Sequence, residues 1–143
     1  MAYLADAARS AEGGNDLRTR GGRLVRMGAS SIDASDAEGR SRAAARGRYG
    51  RNAMVQGAAA EFFKTWAAVV RARLPAVDDG AHIVLCLHDE LVVHVPAGSG
   101  GAVARGLDEW LQEAAHRWLG PSSAASVRFV ADISVIARWS DAK

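Results

Sequence analysis

The chain is poor in several residue types, and each scarcity narrows what it can be. It has one cysteine, Cys86, in 143 residues. No disulfide can form within the chain, and a reducing cytoplasm is the expected setting. Cys86 sits in an apolar run and is expected to be buried there as a small hydrophobe. No apolar run approaches the roughly 20 residues that a membrane helix needs, so no membrane partner is expected. The start, Met1-Ala2-Tyr3-Leu4-Ala5-Asp6, lacks the basic and long apolar regions of a secretory signal. Aromatic residues make up only 6%, and Phe62, Phe63 and Trp66 of the long helical stretch are expected in the core and not as base-stacking platforms. Lysine is nearly absent: Lys64 and Lys143 are the only two. Arginine therefore carries almost all the positive charge, and its planar fork suits bidentate phosphate contacts. An Ala- and Arg-rich, Lys-poor chain is also what a GC-rich genome encodes.

What is present is half apolar, at 49% hydrophobic residues, with a formal net charge of +2. That charge is uneven. Residues 1–51 hold ten arginines against six acids, and residues 52–143 hold eight basic residues against ten acids. The basic half is consistent with a nucleic-acid partner.

Residues 2–12 read as a helix with Tyr3, Leu4, Ala7 and Ala8 on one face, ended by Gly13-Gly14-Asn15. Residues 17–27 read as a hairpin turning at Gly21-Gly22. Residues 28–41 are rich in Gly, Ala, Ser and Asp and read as a loop. A long helix is expected from about 42 to 74, with Val55, Phe62, Phe63, Trp66, Val69, Val70 and Leu74 on its apolar side and Pro75 as its stop. Two β-rich stretches over 82–95 form a second hairpin. A helix over 102–119 presents Val103, Leu107, Trp110, Leu111, Ala114 and Trp118 to a core, and Gly120-Pro121 ends it. The alternation Val127, Phe129, Ala131, Ile133, Val135, Ala137, Trp139 predicts a strand over 126–139 that pairs with the hairpin. The expected fold class is α+β: a small antiparallel sheet, hairpin 82–95 plus strand 126–139, backed by two long helices. Residues 1–45 are expected to form a basic, poorly ordered segment of helix, hairpin and loop, and 46–143 the main domain.

Two local patterns carry chemistry. His88-Asp89-Glu90 falls where the second hairpin bends. Adjacent carboxylates on stiff strands suit Mg²⁺, which takes a few oxygen ligands and keeps waters or phosphates for the rest. The same triplet also reads as a polar surface turn. Upstream, Arg48, Asn52 and Gln56 recur at i, i+4 and i+8. At roughly 100° per residue they share one stripe about 80° wide. All three donate hydrogen bonds, and the minor groove of a duplex offers acceptors at every base pair. A solvated helix face would look the same.

Taken together the two segments resemble the C-terminal palm of family A DNA polymerases, the bacterial DNA polymerase I type. That family carries an R-x-x-x-N-x-x-x-Q-G-x-A-A-[DE] helix followed by a hairpin ending in V-H-D-E-[LIV]. Here Arg48, Asn52, Gln56, Gly57, Ala59, Ala60 and Glu61 match the first, and His88, Asp89, Glu90 and Leu91 the second. Leu17-Arg18-Thr19-Arg20-Gly21-Gly22-Arg23-Leu24 resembles the family's small G-R hairpin. The resemblance implies that Asp89 is a catalytic metal carboxylate, with Glu90 a supporting acid and Mg²⁺ the cofactor. It implies that Arg48, Asn52, Gln56 and His88 contact primer–template DNA, and that the intact enzyme takes deoxynucleoside triphosphates. Cys86 stands where the family usually has Gln, Met54 where Pro is frequent, and Glu61 where Asp is common.

The family's D-Y-S-x-I-E strand and R-x-x-x-K-x-x-x-[YF]-G helix, which supply the first metal carboxylate and hold the incoming nucleotide, do not occur in these 143 residues. The chain by itself is therefore expected to lack polymerase activity, with a missing N-terminal polymerase portion as its natural partner. Two other functions remain open: a standalone or split-subunit DNA-binding module without catalysis, and a small metal-dependent nuclease or phosphohydrolase using Asp89 and Glu90.

Overall fold

Helical capping, turn chemistry and apolar periodicity account for most of the architecture. The computed structural model describes residues 2–28, 32–120 and 127–141. In chain order they form α1 (Ala2–Glu12), β1 (Leu17–Arg18), β2 (Leu24–Val25), α2 (Ala37–Arg73), a 3-10 turn (Leu74–Ala76), β3 (His82–Leu87), β4 (Glu90–His94), α3 (Gly100–Leu119) and a second 3-10 turn (Trp139–Asp141). Helices and two small antiparallel sheets of two strands each make an α+β fold. The chain divides into two compact units, Met1–Glu61 and Phe62–Lys143.

In the first unit α1 ends in a Schellman arrangement. The amide of Asn15 donates to the Ser10 carbonyl at 3.0 Å and that of Gly14 to the Ala11 carbonyl at 2.9 Å. Gly14 sits at φ 80, a left-handed conformation that glycine adopts without strain. The hairpin pairs Leu17 with Val25 and Arg18 with Leu24. Ala7, Ala11, Leu17, Met27 and Met54 form a small core. Gly50 is required there: a Cβ would lie 2.5 Å from that of Ala11.

The helix expected from 42 begins earlier, at Ala37. The Asp36 carboxylate accepts the Gly39 amide at 2.6 Å, the bond of an N-cap residue. Within the expected loop 28–41, residues 29–31 lie outside the described residues, and 37–41 are helical. Low apolar content there signalled a loop, but the capping Asp36, with Ala37, Glu38 and Arg40 as good helix formers and Ala43-Ala44-Ala45 beyond, starts the helix despite Gly39.

In the second unit the apolar side of α2 and the inner side of α3 share one core. Phe63, Trp66, Val69, Val70 and Leu74 meet Ala81, Val103, Trp110, Leu111 and Ala114. The Trp66 indole N–H donates to the Leu107 carbonyl at 3.2 Å, so its buried ring leaves no donor unpaired. Ile83, Leu91, Val93 and Val95 bring one face of the β3–β4 hairpin onto this core.

The strand expected over 126–139 does not form. Residue 126 lies outside the described residues; among 127–139 no strand pairing occurs, and Trp139 opens a 3-10 turn. Phe129 and Ala131 do pack on the core, and the Phe129 ring stacks on Phe62 with centroids 3.9 Å apart. The Phe129 carbonyl accepts from the Gln112 side chain at 3.2 Å. The alternation held only for Phe129, Ala131 and Ile133, which are half-buried, while Val127, Val135, Ala137 and Trp139 are exposed. It did not encode a backbone partner, and the segment docks through side chains instead of a ladder. Cys86 is exposed, not buried. The register shift between Ile83 and Leu85 interrupts the alternation of β3, and Cys86 pairs with Leu91 one step from the exposed turn of the hairpin.

Candidate functional site

Each set of expected site residues is gathered on its own element. Arg48, Asn52 and Gln56 project from the middle of α2, in the first unit, and all three are exposed. None of their side chains makes a hydrogen bond or ion pair to another described residue, so their donors remain available to an external acceptor.

Beside this row the hairpin β1–β2 and α2 enclose an open groove of about 830 Å³. Gln56, Tyr49 and Gly57 line it from the helix, and Thr19, Arg23 and Arg26 from the hairpin. The groove is thus framed by two guanidinium groups, an amide and a phenol. Glu61 ties its two walls together. It accepts the Thr19 hydroxyl and the Gly21 amide at 2.9 Å, and pairs with Arg23 at 3.9 Å. The Thr19 hydroxyl in turn accepts the Arg23 amide at 3.0 Å. Gly57 is what lets the hairpin approach, since a Cβ there would lie 2.5 Å from the Thr19 methyl. Sequence reasoning placed the hairpin and matched Gly57 and Glu61 to the family's helix pattern, but did not find the role of Thr19 and Glu61 in joining them. Forty-two positions separate those two, and no periodic pattern links them.

His88, Asp89 and Glu90 belong to the second unit. Leu87 pairs with Glu90, so His88 and Asp89 form a two-residue turn and Glu90 is the first residue of β4. All three are exposed. His88 adopts φ 51. A left-handed histidine is uncommon and costs roughly 1–2 kcal/mol, a strain that gathers at functional turns. The two carboxylates are engaged by no other described side chain. Among the described residues no three His, Cys, Asp or Glu side chains gather to hold a metal ion. The pair fits a share of a Mg²⁺ site, with hard oxygen donors open to solvent, and further ligands would have to come from outside the described residues.

The comparisons decide the family. The sequence model of DNA polymerase family A matches residues 2–141. The chain belongs to this family. Its members are nucleotidyltransferases that act on template DNA and deoxynucleoside triphosphates and generally use Mg²⁺. No curated protein and no solved structure matches the chain. Among the described residues, no helix of this polymerase-family chain is long and apolar enough to cross a membrane.

Proposed function

We propose that the chain is the C-terminal, palm part of a family A DNA polymerase of DNA replication or repair, and that it grips primer–template DNA. The observation that carries this reading is the exposed, unengaged donor row Arg48, Asn52 and Gln56 on α2. Minor-groove acceptors occur at every base pair, so such a row tests duplex geometry without reading sequence. His88 would touch the primer strand near its end. Asp89 would give one carboxylate to a Mg²⁺ site, with Glu90 beside it. When bound, the metal supplies activation of the primer 3′ hydroxyl and neutralisation of the leaving pyrophosphate. The first metal carboxylate and the nucleotide-holding helix would come from a polymerase portion outside these residues. The isolated chain therefore binds but does not extend.

Fluorescence anisotropy with a labelled primer–template duplex tests the binding. Arg48→Ala should weaken it about tenfold, a loss of ~1.4 kcal/mol, across unrelated sequences. Equal affinity of the variant and the parent would remove the proposed interface. Templated extension by the purified chain with Mg²⁺ would show that the site needs no other portion.

A second reading has one observation in its favour. The donor row is complete while the described metal ligands are not, as suits a binding module that has no chemistry. Duplex binding unchanged by EDTA, with no extension when an upstream polymerase portion is added, would favour it.

A further inference from the structure

At the end of the β3–β4 hairpin away from Asp89 stand two histidines that the polymerase reading leaves unused. His82 opens β3, His94 closes β4, and the register places them directly opposite each other. Their ring centroids lie 5.1 Å apart and the planes are inclined by 41°. Both residues are exposed. We propose that His82 and His94 form a cross-strand site for a borderline transition cation, of which Zn²⁺ is the type.

Two independent features point to a ligand. The first is spacing. With Zn–N bonds of about 2.0–2.1 Å, each ring centroid sits ~3.2 Å from the ion, and a tetrahedral angle then separates two centroids by about 5 Å. The observed 5.1 Å fits that spacing, as it also fits a simple tilted ring pair, and a Zn²⁺ titration separates the two. The second is the hydrogen bond made by His82. Its Nδ1 lies 3.0 Å from the Gly80 carbonyl oxygen. A carbonyl can only accept, so Nδ1 carries the hydrogen and Nε2 of the neutral ring holds the free lone pair. A histidine whose other nitrogen donates to a backbone carbonyl is the common arrangement of a metal ligand.

The carbonyl is itself held in place. The Gly80 amide donates to Asp78 Oδ1 at 2.9 Å, and the Ser99 hydroxyl donates to Asp78 Oδ2 at 2.5 Å. The Ala81 amide closes the turn onto the Asp78 carbonyl at 3.0 Å. On the other strand Pro96 packs where a Gly80 Cβ would lie, at 2.8 Å. His82 therefore leaves a hydrogen-bonded turn, and His94 lies two residues before the Pro96 that packs against that turn.

The chemistry separates this site from the carboxylate tip. His82 is five residues from Leu87 along β3, roughly 17 Å. Imidazole suits Zn²⁺, Cu²⁺ and Ni²⁺, whereas Mg²⁺ demands oxygen ligands. Among the described residues no third protein ligand joins the pair, so water fills the remaining positions. Binding is weaker than at a four-ligand structural zinc site. A bound ion would tie β3 to β4 next to the register shift between Ile83 and Leu85.

Isothermal titration of the full chain with ZnCl₂ tests this, run in parallel on His82→Ala, His94→Ala and Cys86→Ser. Long-range imidazole nitrogen spectra of the parent chain follow the same titration. The expected result is one Zn²⁺ per chain, affinity lower by about tenfold or more in each histidine variant, no change in Cys86→Ser, and shifts of both Nε2 resonances that excess Mg²⁺ does not produce. The exposed histidines can be removed without disturbing the core, so loss of folding does not confuse the outcome. No saturable binding, undiminished affinity in either histidine variant, or loss in Cys86→Ser alone would overturn the proposal.

Discussion

Replacing Thr19 with valine isolates the clasp that holds the β1–β2 hairpin against α2. The change conserves side-chain volume and exchanges one hydroxyl for a methyl. Thr19 is only 4% exposed, so water cannot readily take the place of its hydroxyl. Two bonds are lost: the one donated to the Glu61 carboxylate and the one accepted from the Arg23 amide. A hydrogen bond to a charged group contributes about 1.5–3 kcal/mol and a neutral one ~1 kcal/mol. Glu61 keeps the Gly21 amide and the Arg23 guanidinium, which limits the cost of stranding its carboxylate. The expected destabilisation of the hairpin is about 2 kcal/mol, near 30-fold in its opening equilibrium. Tryptophan fluorescence is the wrong probe, because Trp66, Trp110, Trp118 and Trp139 all lie in the other unit. Native-state hydrogen exchange is the right one. The amides at positions 19 and 22 donate to the Arg23 and Thr19 carbonyls at 3.0 Å each, and their exchange should accelerate about 30-fold. Thr19→Ser, which keeps the hydroxyl, should recover most of the protection. Acceleration of no more than about threefold in Thr19→Val would refute the assignment of the clasp.

Other consequences can be checked singly. Leu74 opens the 3-10 turn after α2 and is 1% exposed, and Leu74→Ala should cost about 2–5 kcal/mol in urea unfolding followed by tryptophan fluorescence. An unchanged midpoint would show that its core packing contributes nothing. Gly106→Ala would raise helix propensity by roughly 1 kcal/mol. The new Cβ, however, would lie 2.6 Å from Trp110 Cζ2, and overpacking of ~1–3 kcal/mol should win; a higher Tm would contradict this. The Arg73 side chain, and then Arg117, hold the Glu113 carboxyl below its ordinary value of 4.5. A depressed carboxylate contributes stability above its unfolded pKa and loses it as pH falls through the lower folded value. Carboxyl-carbon NMR of Glu113 should show a midpoint below 4.5 that returns toward it in Arg73→Ala.

The sequence read alone was sufficient for elements whose signals are local. Gly13-Gly14 ended α1, Gly21-Gly22 placed the first hairpin, and Pro75 stopped α2, because turn and cap chemistry depends on a few neighbouring residues. The period of Phe63, Trp66, Val70 and Leu74 named the inner face of α2 for the same reason. The i, i+4, i+8 row of Arg48, Asn52 and Gln56 and the His88-Asp89-Glu90 turn were also legible, since each set lies on one element.

Only the tertiary structure decided features that depend on partners far along the chain. Of the alternating face expected over 127–139 only Phe129, Ala131 and Ile133 are half-buried, Val127, Val135, Ala137 and Trp139 are exposed, and the Phe129 carbonyl bonds the Gln112 amide while its ring stacks on Phe62. Periodicity reports the face of a segment and is silent on what its backbone bonds to. Cys86 followed the same rule: an apolar run does not say where along a hairpin the covering core ends or where the register shifts, and Cys86 lies near the exposed turn, beyond the shift. The union of Thr19 with Glu61, and the approach of His82 to His94, arise from a hairpin folded onto a helix and from the register of two strands. Both are distances between residues that the linear chain keeps apart.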